Sequence, residues 1–232
     1  MTRALSLSLA VVAVAASACA TSSKENQFRP VAQEDVGRLS AQQMAPISAA
    51  RQDLARANDE LARAKLRMAE ASRDRGLSEA EKTAVQADQQ RAAALSKEAD
   101  ASREPAKLAA ARQAAAAAQL RQRASEAHQD YTAKIIAARE AEVRAAEARV
   151  AEMQARLDQA QLAALQQAGI PAATKYDPAS FQRRVAEAAG ASQRAQTELA
   201  RAMGAAQQSE NQWRALSEQL RVPQQGTATG GR

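Results

Sequence analysis

Residues 178–221 have the most regular residue spacing of the chain and read PASFQRRVAEAAGASQRAQTELARAMGAAQQSENQWRALSEQLR. Apolar or small residues recur in it at alternating intervals of three and four: Phe181, Val185, Ala188, Ser192, Ala195, Leu199, Ala202, Ala206, Ser209, Trp213, Leu216 and Leu220. That spacing places them along one side of an α-helix, as in a coiled coil. The stretch therefore predicts a long helix whose seam is covered by another helix.

The same spacing recurs elsewhere in the chain. Large apolar residues recur every seven positions in two further stretches: Ile47, Leu54, Leu61 and Met68, and then Ile136, Val143, Val150 and Leu157. In the first stretch, alanines follow the first three of these residues by three positions: Ala50, Ala57 and Ala64. Only 2% of the residues are aromatic, and most of the apolar fraction is alanine. Alanine buries little area, so a narrow seam between helices is favoured over a wide core. We expect an all-α fold of long antiparallel coiled-coil helical hairpins with no sheet.

Helix-breaking residues divide the chain. Arg75-Gly76 predicts a turn, because glycine favours helix C-termini, and Ser78–Glu81 matches a capping box that opens a new helix. Glu104-Pro105 then ends this first hairpin. We expect five segments: a signal peptide over 1–18, a flexible tether over 19–39, an N-terminal Ala-rich helical hairpin over 40–104, a long coiled-coil hairpin over 105–222 and a disordered tail over 223–232.

The turn of the second hairpin is predicted between Gly169 and Tyr176. Pro105 suits the first position of a helix, and no breaker follows it until Gly169 and Pro171. Asp177-Pro178 has the N-cap and first-residue pattern of the helix that folds back. Pro223 follows that helix.

The N-terminus has the parts of a secretory signal. Arg3 supplies the positive charge, and the apolar run over residues 4–16 is shorter than the roughly 20 residues that span a bilayer. Ala16-Ser17-Ala18 then precedes Cys19, the one cysteine of the chain, which has no disulfide partner. We expect lipidation at Cys19; the alternative is an ordinary signal peptide cut after Ala18 or Ala20.

This arrangement resembles the lipobox of bacterial lipoproteins. The resemblance implies cleavage in front of Cys19 and acyl chains, palmitate among them, on the mature cysteine. Ala20 is not the aspartate associated with retention in the inner membrane. The resemblance therefore implies the periplasmic face of the outer membrane.

A second resemblance concerns residues 44–102, with the pattern Ala-Arg-x-x-Leu-Ala-Arg-Ala at residues 50–57. This region, about a quarter of the chain, is similar to a family of Ala-rich exported lipoproteins with an N-terminal helical hairpin. Some of those proteins carry a peptidoglycan-binding OmpA-like domain, which does not follow here. The long hairpin also resembles those of periplasmic efflux adaptors, without the β-rich domains that flank them.

The sequence offers no pattern of catalytic, cofactor-binding or metal-binding residues. His128 is the one histidine, and we expect it to be solvated on a polar helix face. Trp213, Phe181 and Tyr131 are expected in helix seams. The net charge is +6, but basic and acidic residues are interspersed, and no nucleic-acid-binding module is visible.

These observations favour a non-enzymatic, lipid-anchored periplasmic coiled-coil protein. It would act as a structural scaffold or docking element in the cell envelope, bound to the membrane through lipidated Cys19. Helix seams would bind envelope proteins or a second copy of the chain. Nucleic acid and small-molecule substrates are not expected. The alternative is a periplasmic holdase-type chaperone for unfolded outer-membrane proteins.

Overall fold

The computed structural model describes residues 28–221, and in this range the fold is all-α with no strand. Three long helices make up most of it. The elements are α1 (Gln33–Val36), α2 (Ala45–Ser102), α3 (Pro105–Gln167), a 3₁₀ helix (Pro171–Lys175) and α4 (Pro178–Arg221). The predicted fold class is therefore confirmed.

Helix α3 is the middle helix of the rod, because α2 and α4 both pack against it. Ion pairs between α2 and α3 join Asp88 to Arg121 and Arg67 to Glu142, so these two helices run antiparallel. Arg184 reaches Asp158 near the start of α4, and Lys134 reaches Ser209 near its end, so α4 also runs antiparallel to α3. The pairing of α3 with α4 matches the hairpin predicted over 105–222.

The first hairpin predicted over 40–104 is wrong. Helix α2 passes through Arg75-Gly76 without a turn, and Ser78 does not begin a new helix but donates a hydrogen bond from its hydroxyl to the Arg75 carbonyl oxygen (3.1 Å). A helical glycine costs only about 1 kcal/mol, which packing against α3 overrides. That packing is continuous, since small residues at one heptad position are buried on both sides of Gly76, with half-buried Val85 between the fourth and fifth: Ala57, Ala64, Ala71, Ser78, Ala92 and Ala99.

Beyond Ile47, the most deeply buried apolar residues of the α2 seam are alanines. Ile47 is fully buried, but Leu54, Leu61 and Met68 are only half-buried, whereas Ala57 and Ala64 are almost inaccessible. Small side chains let two helix backbones approach closely, which pushes the larger leucines to the edges of the contact. The turn to α3 lies where Glu104-Pro105 predicted it, with Arg103 in the left-handed conformation (φ 54°).

Helix α4 has the predicted seam. Phe181, Ser192, Ala206 and Ser209 are buried, and the other seam residues are half-buried except Leu220, which is 38% exposed. Asp177 caps the helix by accepting a hydrogen bond at Oδ1 from the Ala179 N–H (3.0 Å). In the preceding turn Gly169 adopts φ 63°, a conformation that glycine tolerates without strain.

The largest apolar core closes one end of the rod, which we call the base. Its buried members come from the segment before α2, from both ends of the α3–α4 turn and from the start of α2: Val31, Val36, Ile47, Leu157, Leu162, Ala164, Leu165, Ala173, Tyr176 and Phe181. The remainder of the rod has narrow alanine-rich seams. The opposite end, at Arg103, is called the tip.

Residues 28–39, expected to belong to a flexible tether, pack on the base instead. Phe28, Val31, Val36 and Leu39 all join or contact the apolar core, so this part of the prediction is wrong. Residues 19–27 of the tether, the signal peptide with Cys19, and the tail over 223–232 lie outside the described residues. Within residues 28–221, no helix has the length and apolar character needed to span a bilayer.

Candidate functional site

The segment over residues 28–39, which we call the strap, is held to the base by Tyr176. The Tyr176 hydroxyl accepts a hydrogen bond from the Ala32 N–H (3.0 Å) and donates one to Oδ2 of buried Asp35 (3.1 Å). These bonds join residues more than 140 positions apart in the sequence. Because buried polar groups are costly to leave unpaired, this single hydroxyl fixes the strap across the α3–α4 turn.

Aromatic contacts fix the beginning of the strap. The Phe28 ring meets the Phe181 ring edge-on at a centroid distance of 4.8 Å, and the Arg184 guanidinium lies 4.1 Å from the centroid of Phe28. Arg184 also forms an ion pair with Asp158 (2.7 Å). Phe28 is therefore held between an apolar ring and a positioned cation, nine residues after Cys19 in the sequence.

A groove runs along α3 between α2 and α4, and we call it the interhelical groove. Three adjoining cavities, of about 480, 470 and 260 Å³, form it. Arg67 lines the first two, and Glu60 and Arg149 line the second and third. Charged and apolar side chains both line the groove: Trp213, Tyr131 and Leu77 lie in the first cavity, and mainly charged side chains lie in the third.

Ion pairs cross this groove. Arg67 of α2 and Arg139 of α3 both bind the Glu142 carboxylate. Burial alone raises the pKa of Glu142, but hydrogen bonds from these two guanidinium groups outweigh it and hold the pKa below its usual value. Glu142 is therefore ionised at neutral pH and links two helices.

Glu152 is the most deeply buried carboxylate of α3, with 4% of its surface exposed. Burial raises its pKa, but the Ser192 hydroxyl of α4 and the Arg156 and Arg149 guanidinium groups together lower it below the usual value. Arg156 (2.6 Å) and Arg149 (3.2 Å) form regular ion pairs, whereas the Ser192 hydroxyl is near the carboxylate without regular hydrogen-bond geometry. Both guanidinium groups belong to α3 itself, so these ion pairs lie within one helix, and a carboxylate held ionised in this way is not suited to transferring protons.

Aromatic residues from two helices meet where the groove is widest. The Trp213 indole of α4 stacks on the His128 imidazole (4.4 Å) and on the Tyr131 ring (5.5 Å), both from α3. His128 Nδ1 lies 2.5 Å from Oε2 of Glu81 in α2. The expectation of a solvated His128 is therefore wrong, because the side chain is only 21% exposed and contacts both neighbouring helices.

The stack also places the other aromatic residues named from the sequence. Trp213 and Tyr131 are half-buried in the seam between α3 and α4, and Phe181 is buried in the base, so all three lie in seams as predicted. Burial raises the pKa of Tyr131, with the Glu210 carboxylate adding to the effect. The pattern along one helix did not predict the meeting of His128 with Trp213, since it depends on the register between two helices.

Within residues 28–221, no group of three or more His, Cys, Asp or Glu side chains is arranged to hold a metal ion. Cys19 lies outside this range, and its lipidation remains a prediction. No protein-family model, curated protein or solved structure matches this chain. The resemblances to bacterial lipoproteins and to exported helical-hairpin proteins therefore also remain predictions.

Proposed function

We propose that this chain is a lipid-anchored scaffold or docking element of the cell envelope, attached through lipidated Cys19 at the periplasmic face of the outer membrane. The proposal assigns no catalytic reaction to the chain. Its working parts are a base near the membrane and a helical surface held away from it.

The observation that carries the proposal is the position of the strap. Phe28 is fixed on the base, and it follows Cys19 by nine residues, which span at most about 30 Å. Helix α2 leads from the base to the tip over 58 residues, or about 87 Å at 1.5 Å per residue. An anchor at Cys19 would thus keep the base close to the membrane while the tip reaches far from it.

Anchoring is tested by substituting the cysteine. Cys19→Ser should move the protein from the membrane fraction to the soluble fraction of cells, because no acyl chain is then attached. Persistent membrane association of the variant would refute lipidation as the anchor. Cys19→Ala serves as a second variant, so that the result does not depend on the serine.

Spacing is tested by shortening the rod. Deleting residues 86–92 together with 118–124 removes one heptad from each helix and both members of the Asp88–Arg121 ion pair. The seam register is kept, and the tip moves about 10 Å closer to the base. We expect photo-crosslinks from exposed Ala101 at the tip to change in intact cells, whereas those from exposed Ala49 at the base persist. Identical crosslinks from both positions before and after the deletion would contradict a spacing function.

A holdase is the second candidate, favoured by two exposed leucines on α2. Leu66 is 65% exposed and Leu77 is 69% exposed, and Leu77 lies at the edge of the interhelical groove. If this candidate is correct, a soluble protein of residues 19–232 with the substitution Cys19→Ser should suppress aggregation of an unfolded outer-membrane protein. Leu66→Ser with Leu77→Ser should then abolish the effect; no suppression by the parent chain eliminates the holdase.

A further inference from the structure

The face of α3 that receives α4 continues beyond the described end of α4. Contacts between α3 and α4 join Asp158 with Arg184 and His128 with Trp213, so Arg221 lies level with about residue 121 of α3. Toward the tip, the spacing of three and four continues on this face with Ala106, Ala110, Gln113, Ala117 and Leu120. We call these residues the distal face.

The burial of residues at one heptad position of α3 shows where the contact with α4 ends. Ala145, Ala138 and Ala124 are each at least 94% buried, Ala117 is half-buried and Ala110 is exposed. Tyr131 occupies the same heptad position, and the other five residues are all alanine, so their differing exposure reflects the missing neighbour among the described residues. The distal face is thus a continuation of an existing helix–helix interface.

A helix that fits this face can follow the pattern of α4, whose seam mixes large and small side chains. Phe181, Leu199 and Trp213 of that seam are interspersed with small residues such as Ser192, Ala206 and Ser209, and the face of α3 that receives α4 includes Ala138 and Ala141. On α2, Leu95 lies seven residues beyond Asp88, whose carboxylate binds Arg121, and it is 42% exposed on this side of the rod. A partner with leucine or valine at its seam positions would cover both helices.

The tip is also strongly basic. Residues 89–123 contain three acidic side chains and seven basic ones: Arg91, Lys97, Arg103, Lys107, Arg112, Arg121 and Arg123. All seven are exposed, and only Arg91, Lys107 and Arg121 form ion pairs within the described residues. Counting Asp88, which pairs with Arg91 and Arg121, this end of the rod still has seven basic side chains against four acidic ones.

We infer that the distal face binds an acidic amphipathic helix of a partner protein, lying antiparallel to α3 in continuation of α4. This inference deepens the proposed docking function and rests on it. A second copy of the tip is disfavoured, because two strongly basic surfaces repel each other. A lipid surface is disfavoured too, since the distal face is mostly alanine, and Leu120 and Leu95 are the large apolar side chains at it.

The test uses a synthetic 21-residue helical peptide with leucine at its seam positions and glutamate at the flanking positions. A second peptide has the same seam with lysine at the flanks. Binding of each fluorescent peptide to residues 19–232 carrying Cys19→Ser is followed by anisotropy. We expect saturable binding of the acidic peptide and binding at least tenfold weaker of the basic one. Equal binding of both peptides, or of neither, would overturn the inference.

Matched variants locate the peptide. Ala110→Glu adds a negative charge on the distal face, and Gln119→Glu adds the same charge on the opposite face of α3. The first should weaken binding at least tenfold and the second by less than threefold, with unchanged helicity and melting for both. Equal effects would contradict binding at the distal face.

Two further experiments test whether something other than a partner helix covers the distal face. Removal of residues 223–232 should leave peptide binding unchanged, and a large gain would show that the chain's own tail covers the face. Vesicles containing phosphatidylglycerol should not compete with the peptide; competition that Ala110→Glu abolishes would indicate a lipid surface instead. Because these measurements use soluble protein, they can fail while membrane anchoring through Cys19 succeeds, and the reverse.

Discussion

Tyr176→Phe isolates the hydroxyl that holds the strap to the base. The substitution keeps the ring, which meets Phe181 at a centroid distance of 6.3 Å, and removes only the oxygen that bonds the Ala32 N–H and the Asp35 carboxylate. Both partners lose their bond, and Asp35 is 8% exposed. Leaving a buried polar group unpaired costs about 1–3 kcal/mol.

That energy is expected to appear as local opening of the strap. Amide hydrogen exchange over residues 31–39 should accelerate roughly 5- to 150-fold, since each 1.4 kcal/mol is a factor of ten. Exchange in the middle of α3 should not change. Tyr131→Phe is the matched control, because Tyr131 is the other tyrosine of the chain and its ring stacks on Trp213 without holding the strap. Unchanged exchange over residues 31–39 in Tyr176→Phe, or equal acceleration in both variants, would refute this account of the strap.

Three further perturbations test other contacts. Ala64→Leu should lower the free energy of unfolding by about 1–3 kcal/mol in urea titrations, because Ala64 is 1% exposed between α2 and α3, whereas Ala62→Leu at an exposed position should change it little. The pKa values of Glu142 and Glu152 are lowered in the folded protein, so their stabilisation is present above the unfolded-state pKa and lost as the pH falls through the folded-state pKa. Thermal melts should therefore show a lower midpoint at about pH 3 than at about pH 7, and Gln at both positions should reduce the difference; an unchanged difference would contradict the assignment. Trp213→Ala should accelerate hydrogen exchange in the last turns of α4 while exchange at the base is unaffected, and uniform acceleration would argue against a local role of the stack.

Residue spacing alone predicted the parts of the fold that depend on one helix. The alternation of three and four in residues 178–221 requires only that a neighbouring helix be present, and the seam lies where the pattern put it. Asp177-Pro178 and Glu104-Pro105 set helix ends through local backbone chemistry, and both ends are as predicted. Sequence patterns therefore predicted correctly the seam of α4 and these helix ends, which depend on residues close together in the chain.

Gly76 shows where such rules fail. Glycine after Arg75 and the capping pattern at Ser78 favour a turn, but each preference amounts to about 1 kcal/mol. The small residues at Ala71, Ser78 and Ala92 are buried against α3, and a turn at Gly76 would remove them from that contact. Packing along the whole helix thus outweighs two local signals.

The strap and the aromatic stack depend on contacts between distant segments. Phe28 and Val31 are too few to form an amphipathic pattern. Phe28 contacts Phe181 and Ala32 is hydrogen-bonded to Tyr176, in each case more than 140 residues away along the chain. The charged sequence around His128 does not predict its contact with Trp213, because that contact depends on how α4 is aligned along α3. Neither feature has a periodic signature in the sequence.

The proposed docking function requires that α2 run unbroken from the base to the tip, where the distal face of α3 lies. This is tested most directly by pulsed electron–electron double resonance in the chain carrying Cys19→Ser. Nitroxide labels are attached to cysteines introduced at the exposed positions Ala55 and Ala93, and the distance between them is measured. An unbroken α2 predicts a distance of about 57 Å, from 1.5 Å per residue. A distance of about 20 Å or less would mean that the chain folds back near Gly76, and would contradict the account.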